Sequence, residues 1–120
     1  MTDQEIIDRA ALKRLLAVIG GDEEDLAELV EDFTDSAPDL AITITQATSS
    51  GDRDAMRIAA HTLKSNARDF GAVHLSELCE AMERALKEEA PESLSRAAEE
   101  IKAHTAKAVA ALAEVSLEDV

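Results

Sequence analysis

Arg57, His61, Lys64 and Arg68 follow one another at steps of four, three and four residues. Wound as a helix at about 100° per residue, they share one face, with Arg53 one turn further back. Met56, Ala59, Leu63, Ala67 and Phe70 occupy the opposite face. An imidazole therefore stands in the middle of a basic stripe, on the side that does not bury. Neighbouring cations disfavour the imidazolium, and the neutral ring keeps the lone pair that a nucleophile needs. If that ring took a phosphoryl group, Lys64, one turn on, would meet the new oxygens with charge-assisted hydrogen bonds. The stripe belongs to a chain of formal net charge -14, so a concentration of positive charge asks for a reason. The plainer reading of His61 is an ordinary surface histidine, and of Lys64 a solvated lysine. Arg57 and Arg68 read as solvated side chains or as charges that steer an acidic partner.

The neighbours of His61 sharpen this picture. Ser65 lies beside it on the exposed side, where a small residue leaves room for a partner to approach. Ile58 flanks it on the side away from the arginines and reads equally as half-buried core or as the apolar part of a docking patch. Asn66 points toward the aliphatic side, where a buried amide has to find partners and would pin the helix or brace the site. Gly71 suits the left-handed residue that closes the helix. His74 and His104 sit beside apolar stripes and read as boundary residues, and Cys79 reads as core. There is no H-E-x-x-H and no paired-cysteine spacing, so no metal site is expected.

The elements that must position these residues follow from the punctuation. Gly20-Gly21, Gly51, Gly71 and Pro91 divide the chain into five segments with helical spacing. The expected helices are roughly 8–19, 22–49 with a kink near Pro38, 52–70, 72–88 and 91–115, within one domain over 1–120. Residues before Asp8 read as loose or as an added turn, and Ser116 to Val120 as frayed. Leu12, Leu15, Leu16 and Ile19 mark the first apolar stripe. Leu26, Leu29, Val30 and Phe33, then Leu40, Ile44 and Ala47, mark the second. The last segment alternates steps of four and three through Leu94, Ala98, Ile101, Thr105, Ala108, Leu112 and Val115, a pattern that suits near-parallel packing in a bundle. The expected architecture is all-α: an up-and-down antiparallel four-helix bundle with a short additional N-terminal helix.

Composition narrows the function classes. The 120 residues are 46% apolar with two Phe and no Trp or Tyr, which favours closely spaced helices over a sheet. With 26 acidic and 12 basic residues, the chain should repel nucleic acid and anionic membranes. No signal peptide or membrane-length apolar run is visible, and the single cysteine has no partner for an internal disulfide. A soluble cytoplasmic protein is expected. There is no G-x-x-x-x-G-K-[ST] loop, so the chain is not expected to bind ATP or act as a kinase on its own.

The run from Ala60 to Ala72, A-H-T-L-K-S-N-A-R-D-F-G-A, resembles the signature of histidine-containing phosphotransfer (HPt) domains, H-x-L-K-small-small…G-A. His61, Leu63, Lys64, Ser65, Gly71 and Ala72 match it, and Leu75, Leu78, Cys79 and Met82 resemble the family's next helix. Ser65 departs from the pattern, since glycine is commonest there. The resemblance implies a phosphocarrier: His61 accepts a phosphoryl group from a receiver-domain aspartate and passes it to another receiver. Receivers of response regulators or hybrid histidine kinases are the implied partners. The Mg²⁺ belongs to the receiver, and the chain itself needs no cofactor. Lys64 would stabilise the phosphoryl group, Arg57, Ile58, Ser65 and Arg68 would dock the partner, and Asn66 and Gly71 would be structural. The protein is expected to be a monomer. The rival readings are a non-catalytic helical adaptor and the histidine-helix fragment of a sensor kinase, which would have to dimerise.

Overall fold

Aspartates open the first three helices and left-handed glycines follow their ends. Asp8, Asp22 and Asp52 each turn a carboxylate back onto backbone amides of the first helical turn: Ala10 N at 3.0 Å, Glu24 N at 2.8 Å and Ala55 N at 3.0 Å. Each supplies an acceptor to amides that have no partner inside the helix. Glu23, Glu24 and Asp25 place further negative charge at the second helix start, where the helix dipole favours it.

A computed structural model of the protein describes residues 6–88 and 91–120, apart from the side chains of residues 91, 92 and 119. Among these residues five helices follow in order: α1 Arg9–Val18, α2 Glu23–Ser50, α3 Arg53–Asp69, α4 Val73–Glu88 and α5 Pro91–Glu114, with a 3₁₀ turn at Leu117–Asp119. There is no strand among the described residues. α2 packs on α3, α3 on α4, α4 on α5 and α5 on α2, which closes the four long helices into a ring, while α1 leans on α3 and α2. Every residue of the four-three series along α5 and just past its end, from Leu94 to Val115, is buried.

α2 runs unbroken through Pro38. Proline has no N–H to donate and is costly inside a helix. The apolar positions on either side, Ala37 and Ala41, are buried, so tertiary packing carries the helix past the weak point. The same holds for the β-branched run that follows: Thr43, Thr45 and Thr48 return their hydroxyls to carbonyls four residues back. In front of α1, Ile7 is completely buried. Ile7, just before Asp8, is therefore core, not loose chain.

The turn Phe70-Gly71-Ala72 between α3 and α4 is specified by two independent constraints. Gly71 has φ +78°, and around it Ala72 N bonds Ala67 O at 2.8 Å while Gly71 N bonds Arg68 O at 3.2 Å. This is the paired closure of a Schellman turn. Asp8 N also donates to Gly71 O at 2.8 Å, and a Cβ on residue 71 would overlap the Asp8 carbonyl. Only glycine satisfies both the left-handed backbone and the close approach of the α1 start. Across the same turn, the buried Ser76 of α4 donates to the Lys64 carbonyl at 3.3 Å, and Phe70 stacks on Phe33 of α2 with ring centroids 4.8 Å apart. The histidine-bearing helix is thus fixed against both of its neighbours.

Candidate functional site

α3 presents two faces, as its spacing predicts. Met56, Ala59, Leu63 and Ala67 are buried, and Ala60 joins them. His61 lies on the open side, with 63% of its side chain exposed. Its Nδ1 is 3.4 Å from Oε2 of Glu83 on α4. The other oxygen of the same carboxylate, Oε1, is 2.9 Å from Lys64 Nζ. One carboxylate from the neighbouring helix therefore bridges the imidazole and the ammonium.

Lys64 departs from the sequence reading. It was expected on the side that does not bury, yet only 16% of its side chain is exposed. A helix considered alone assigns that position to solvent, whereas α4 comes close enough to cover it. The surroundings of the ring also differ from the all-cationic stripe that the spacing suggests, because the nearest charge to Nδ1 is a carboxylate. Burial pushes the Glu83 carboxyl upward, but hydrogen bonds and charge from Lys64 and His61 outweigh it and hold the group below the ordinary carboxylate range. Glu83 is therefore an anion at neutral pH. Inward of it, burial and then the Glu83 charge push the Cys79 thiol up to about 12. That thiol is inert as a nucleophile.

The remaining residues on the stripe separate. Ser65 is exposed beside His61. Ile58 is 57% exposed, which settles the two readings of this residue against core. Asn66 is half-buried and not enclosed. Arg57 stays exposed and pairs loosely with Asp54 at 3.8 Å; together with Arg53, Glu83, Leu86 and Lys87 it lines a groove next to the carboxylate. Arg53 donates to the Leu86 carbonyl, tying the start of α3 to the end of α4. Arg68 lies further along α3, where it lines a hollow with Arg14, Leu15 and Val18 of α1.

Glu83 was missed in the sequence. It lies four residues after Cys79 and three before Leu86, so it falls among the apolar steps of α4, where a lone acid signals a partner across the seam. His74 and His104, read as boundary residues, meet edge to face across α4 and α5 with ring centroids 4.4 Å apart. Among the described residues no three His, Cys, Asp or Glu side chains are arranged to hold a metal ion. No helix among them is long and apolar enough to cross a membrane.

Comparison with known proteins bears on this arrangement. The family described as Hpt domain matches residues 28–115, a span that includes His61, Lys64 and Glu83. The crystal structure of histidine-containing phosphotransfer protein B (HptB) from Pseudomonas aeruginosa PAO1 matches with a TM-score of 0.82 at 21% sequence identity, covering 91% of this chain and 92% of that one. No curated protein matches the chain.

Proposed function

The chain belongs to the Hpt domain family and is a histidine phosphocarrier of phosphorelays, and from that premise we propose that His61 carries the phosphoryl group on Nε2. The observation that supports this most directly is the orientation of the ring. Nδ1 faces the Glu83 carboxylate, which favours the tautomer with its proton on Nδ1 and leaves the Nε2 lone pair free on the outer edge. Hydrogen positions follow from this bonding pattern.

Hpt proteins work with receiver domains. In the proposed reaction the Nε2 lone pair attacks the phosphorus of a receiver's aspartyl phosphate. The N–P bond forms as the P–O bond to the aspartate breaks, and that electron pair returns to the aspartate carboxylate. The receiver supplies its own Mg²⁺, and this chain contributes a nucleophile held in an accessible pose. Lys64 contributes charge: its ammonium lies one turn from His61 and exchanges part of its contact with Glu83 for the incoming phosphoryl oxygens. Onward transfer to a second receiver is the same step in reverse. Ile58, Ser65 and Arg57 form the docking face around His61, with Arg68 at its far end toward α1. The architecture that goes with this reading is an up-and-down antiparallel four-helix bundle in which α1 is the short added helix. The protein acts as a monomer in the cytoplasm, without a cofactor of its own and without contact with nucleic acid or membrane.

The test is incubation with a phosphorylated receiver domain. A label that is acid-labile, alkali-stable and mapped to His61 supports the assignment. Label on His74 or His104, or on a carboxylate, overturns it.

A further inference from the structure

We propose that Ser65 binds the carried phosphoryl group: its hydroxyl donates a hydrogen bond to a phosphoryl oxygen on His61 and so weights the phosphoryl balance toward this chain. This rests on His61 being the carrier.

The argument starts from where helical hydroxyls spend their proton. Serine and threonine inside a helix commonly return it to a carbonyl of the preceding turn. α2 does this repeatedly: Thr34 and Ser36 donate to carbonyls three residues back, and Thr43, Thr45 and Thr48 to carbonyls four back. On α4, Ser76 donates across the seam to the Lys64 carbonyl. Ser65 does neither. It is exposed on α3, its acceptor four residues back would be the His61 carbonyl, and its hydroxyl has no partner among the described residues.

Position decides what that proton can reach. Residues four apart on a helix are neighbours, with about 5–6 Å between their Cβ atoms. Helical side chains lean toward the N-terminus, so that of Ser65 leans over the turn that carries His61. The ring is 63% exposed and its Nδ1 edge is taken by Glu83, which leaves the phosphoryl group on the open side that Ser65 shares. Lys64 lies about 60° around the helix from His61 in one direction and Ser65 about 40° in the other. The group is therefore flanked by an ammonium and a hydroxyl. Its three oxygens are strong acceptors, more than one ammonium already engaged by Glu83 at 2.9 Å can serve.

In the unloaded protein water serves the hydroxyl equally well. The contact exists only in the loaded state, so its whole free energy enters the equilibrium between His61 and a receiver's aspartate. Formation of the N–P bond does not depend on it, because the hydroxyl is neither nucleophile nor base. Holding is also separable from docking. The equilibrium constant between free species depends on the stabilities of the two phosphorylated proteins and not on how well they meet.

The experiment exchanges label to equilibrium, at high dilution, between one receiver domain and wild-type protein, Ser65→Ala or Thr62→Ala. Thr62 is the control: it is exposed on the same helix and also unpartnered among the described residues, but it stands about 100° from His61, where adjacent residues do not face each other. Ser65→Ala is expected to lower the ratio of label on His61 to label on the receiver by about three- to fivefold, the range of a net hydrogen bond at an exposed site. Thr62→Ala is expected to leave it unchanged. A second reading needs no receiver: protein labelled with phosphoramidate is titrated by its ³¹P shift. A donor favours the phosphoryl dianion, so the midpoint is expected to rise by about half a pH unit in Ser65→Ala. An unchanged ratio, an equal fall in both variants, or an unmoved ³¹P midpoint would overturn the proposal while leaving His61 as carrier. Label that maps away from His61 in wild-type protein would overturn the carrier assignment and this proposal with it.

Discussion

Two seams of this bundle bring imidazoles against their neighbours, and they do so in opposite ways. Between α3 and α4, His61 meets a carboxylate that is itself held by a lysine. Between α4 and α5, His74 meets another imidazole, His104, edge to face. Exposure does not separate the two: His74 is 49% exposed and His61 63%. What differs is how the carboxylate behind each ring is held. Glu83 reaches His61 from the neighbouring helix, is largely buried and is anchored by Lys64, whereas Glu77 lies 3.9 Å from His74 Nδ1 on the same helix, with 68% of its side chain exposed. The contrast teaches that a candidate histidine is recognised by a carboxylate fixed at its inner nitrogen, and that a loose, exposed pairing along one helix marks no site.

The comparison breaks most easily at the rings themselves. His61→Gln is expected to abolish labelling by a phosphorylated receiver, with helicity and melting temperature near wild type because the side chain faces solvent. His74→Gln and His104→Gln are expected to keep it. Mass-mapped label in the three variants checks this, and the reverse pattern would exchange the roles of the two seams.

Next in size is access. Ser65→Trp places a large ring about 40° around the helix from His61 and one turn along. Transfer from a protein receiver is expected to be blocked, while phosphoramidate still labels His61. Equal loss with both donors would mean that Ser65 belongs to the chemistry and not to the approach path.

Lys64→Ala comes third. It removes the partner of a half-buried carboxylate, so two effects are expected together: transfer slower by roughly tenfold, and stability lower by about 1–3 kcal/mol, the cost of leaving such a group unmatched. Rate and denaturant midpoint can be measured on one preparation. Restored stability without restored rate in Lys64→Ala/Glu83→Ala would separate the two roles.

The smallest effect lies at the other seam. Burial, then the charges of His74 and Lys107, lower the His104 pKa from its ordinary value against a contrary pull from Glu100. A lowered value means that the fold favours the neutral ring. Its contribution to stability is therefore complete above the unfolded value near 6.5 and is lost as pH falls from there through the folded value. Thermal melts over that acid range should fall less steeply in His104→Gln than in wild type, and identical slopes would show that the imidazole pair does not sense pH.

Helical spacing alone exposed much of this molecule. The apolar series of α5, the two faces of α3 and the glycine at 71 are consequences of one helix or one turn, and they can be read without knowing what lies opposite. Lys64, Glu83 and Ile7 were not legible in that way. Lys64 looks solvated until α4 is brought against it. Glu83 lies 22 residues from His61, and its role exists only across a seam. Ile7 precedes the first clear cap, and its burial depends on where the α3–α4 turn passes. Ile58 was undecided from spacing because a flank position on one helix says nothing about whether another helix covers it.

The turn at Phe70-Gly71-Ala72 also works as a gear between the two halves of the site. Each residue added to or removed from it would rotate α4 by about 100° and slide it by about 1.5 Å relative to α3. A single insertion would carry Glu83 off the seam and bring a neighbouring position toward His61, with every side chain of the site still present. The surroundings of His61 are therefore encoded partly in a count of backbone residues, and the contact between Gly71 and Asp8 ties α1 to that count.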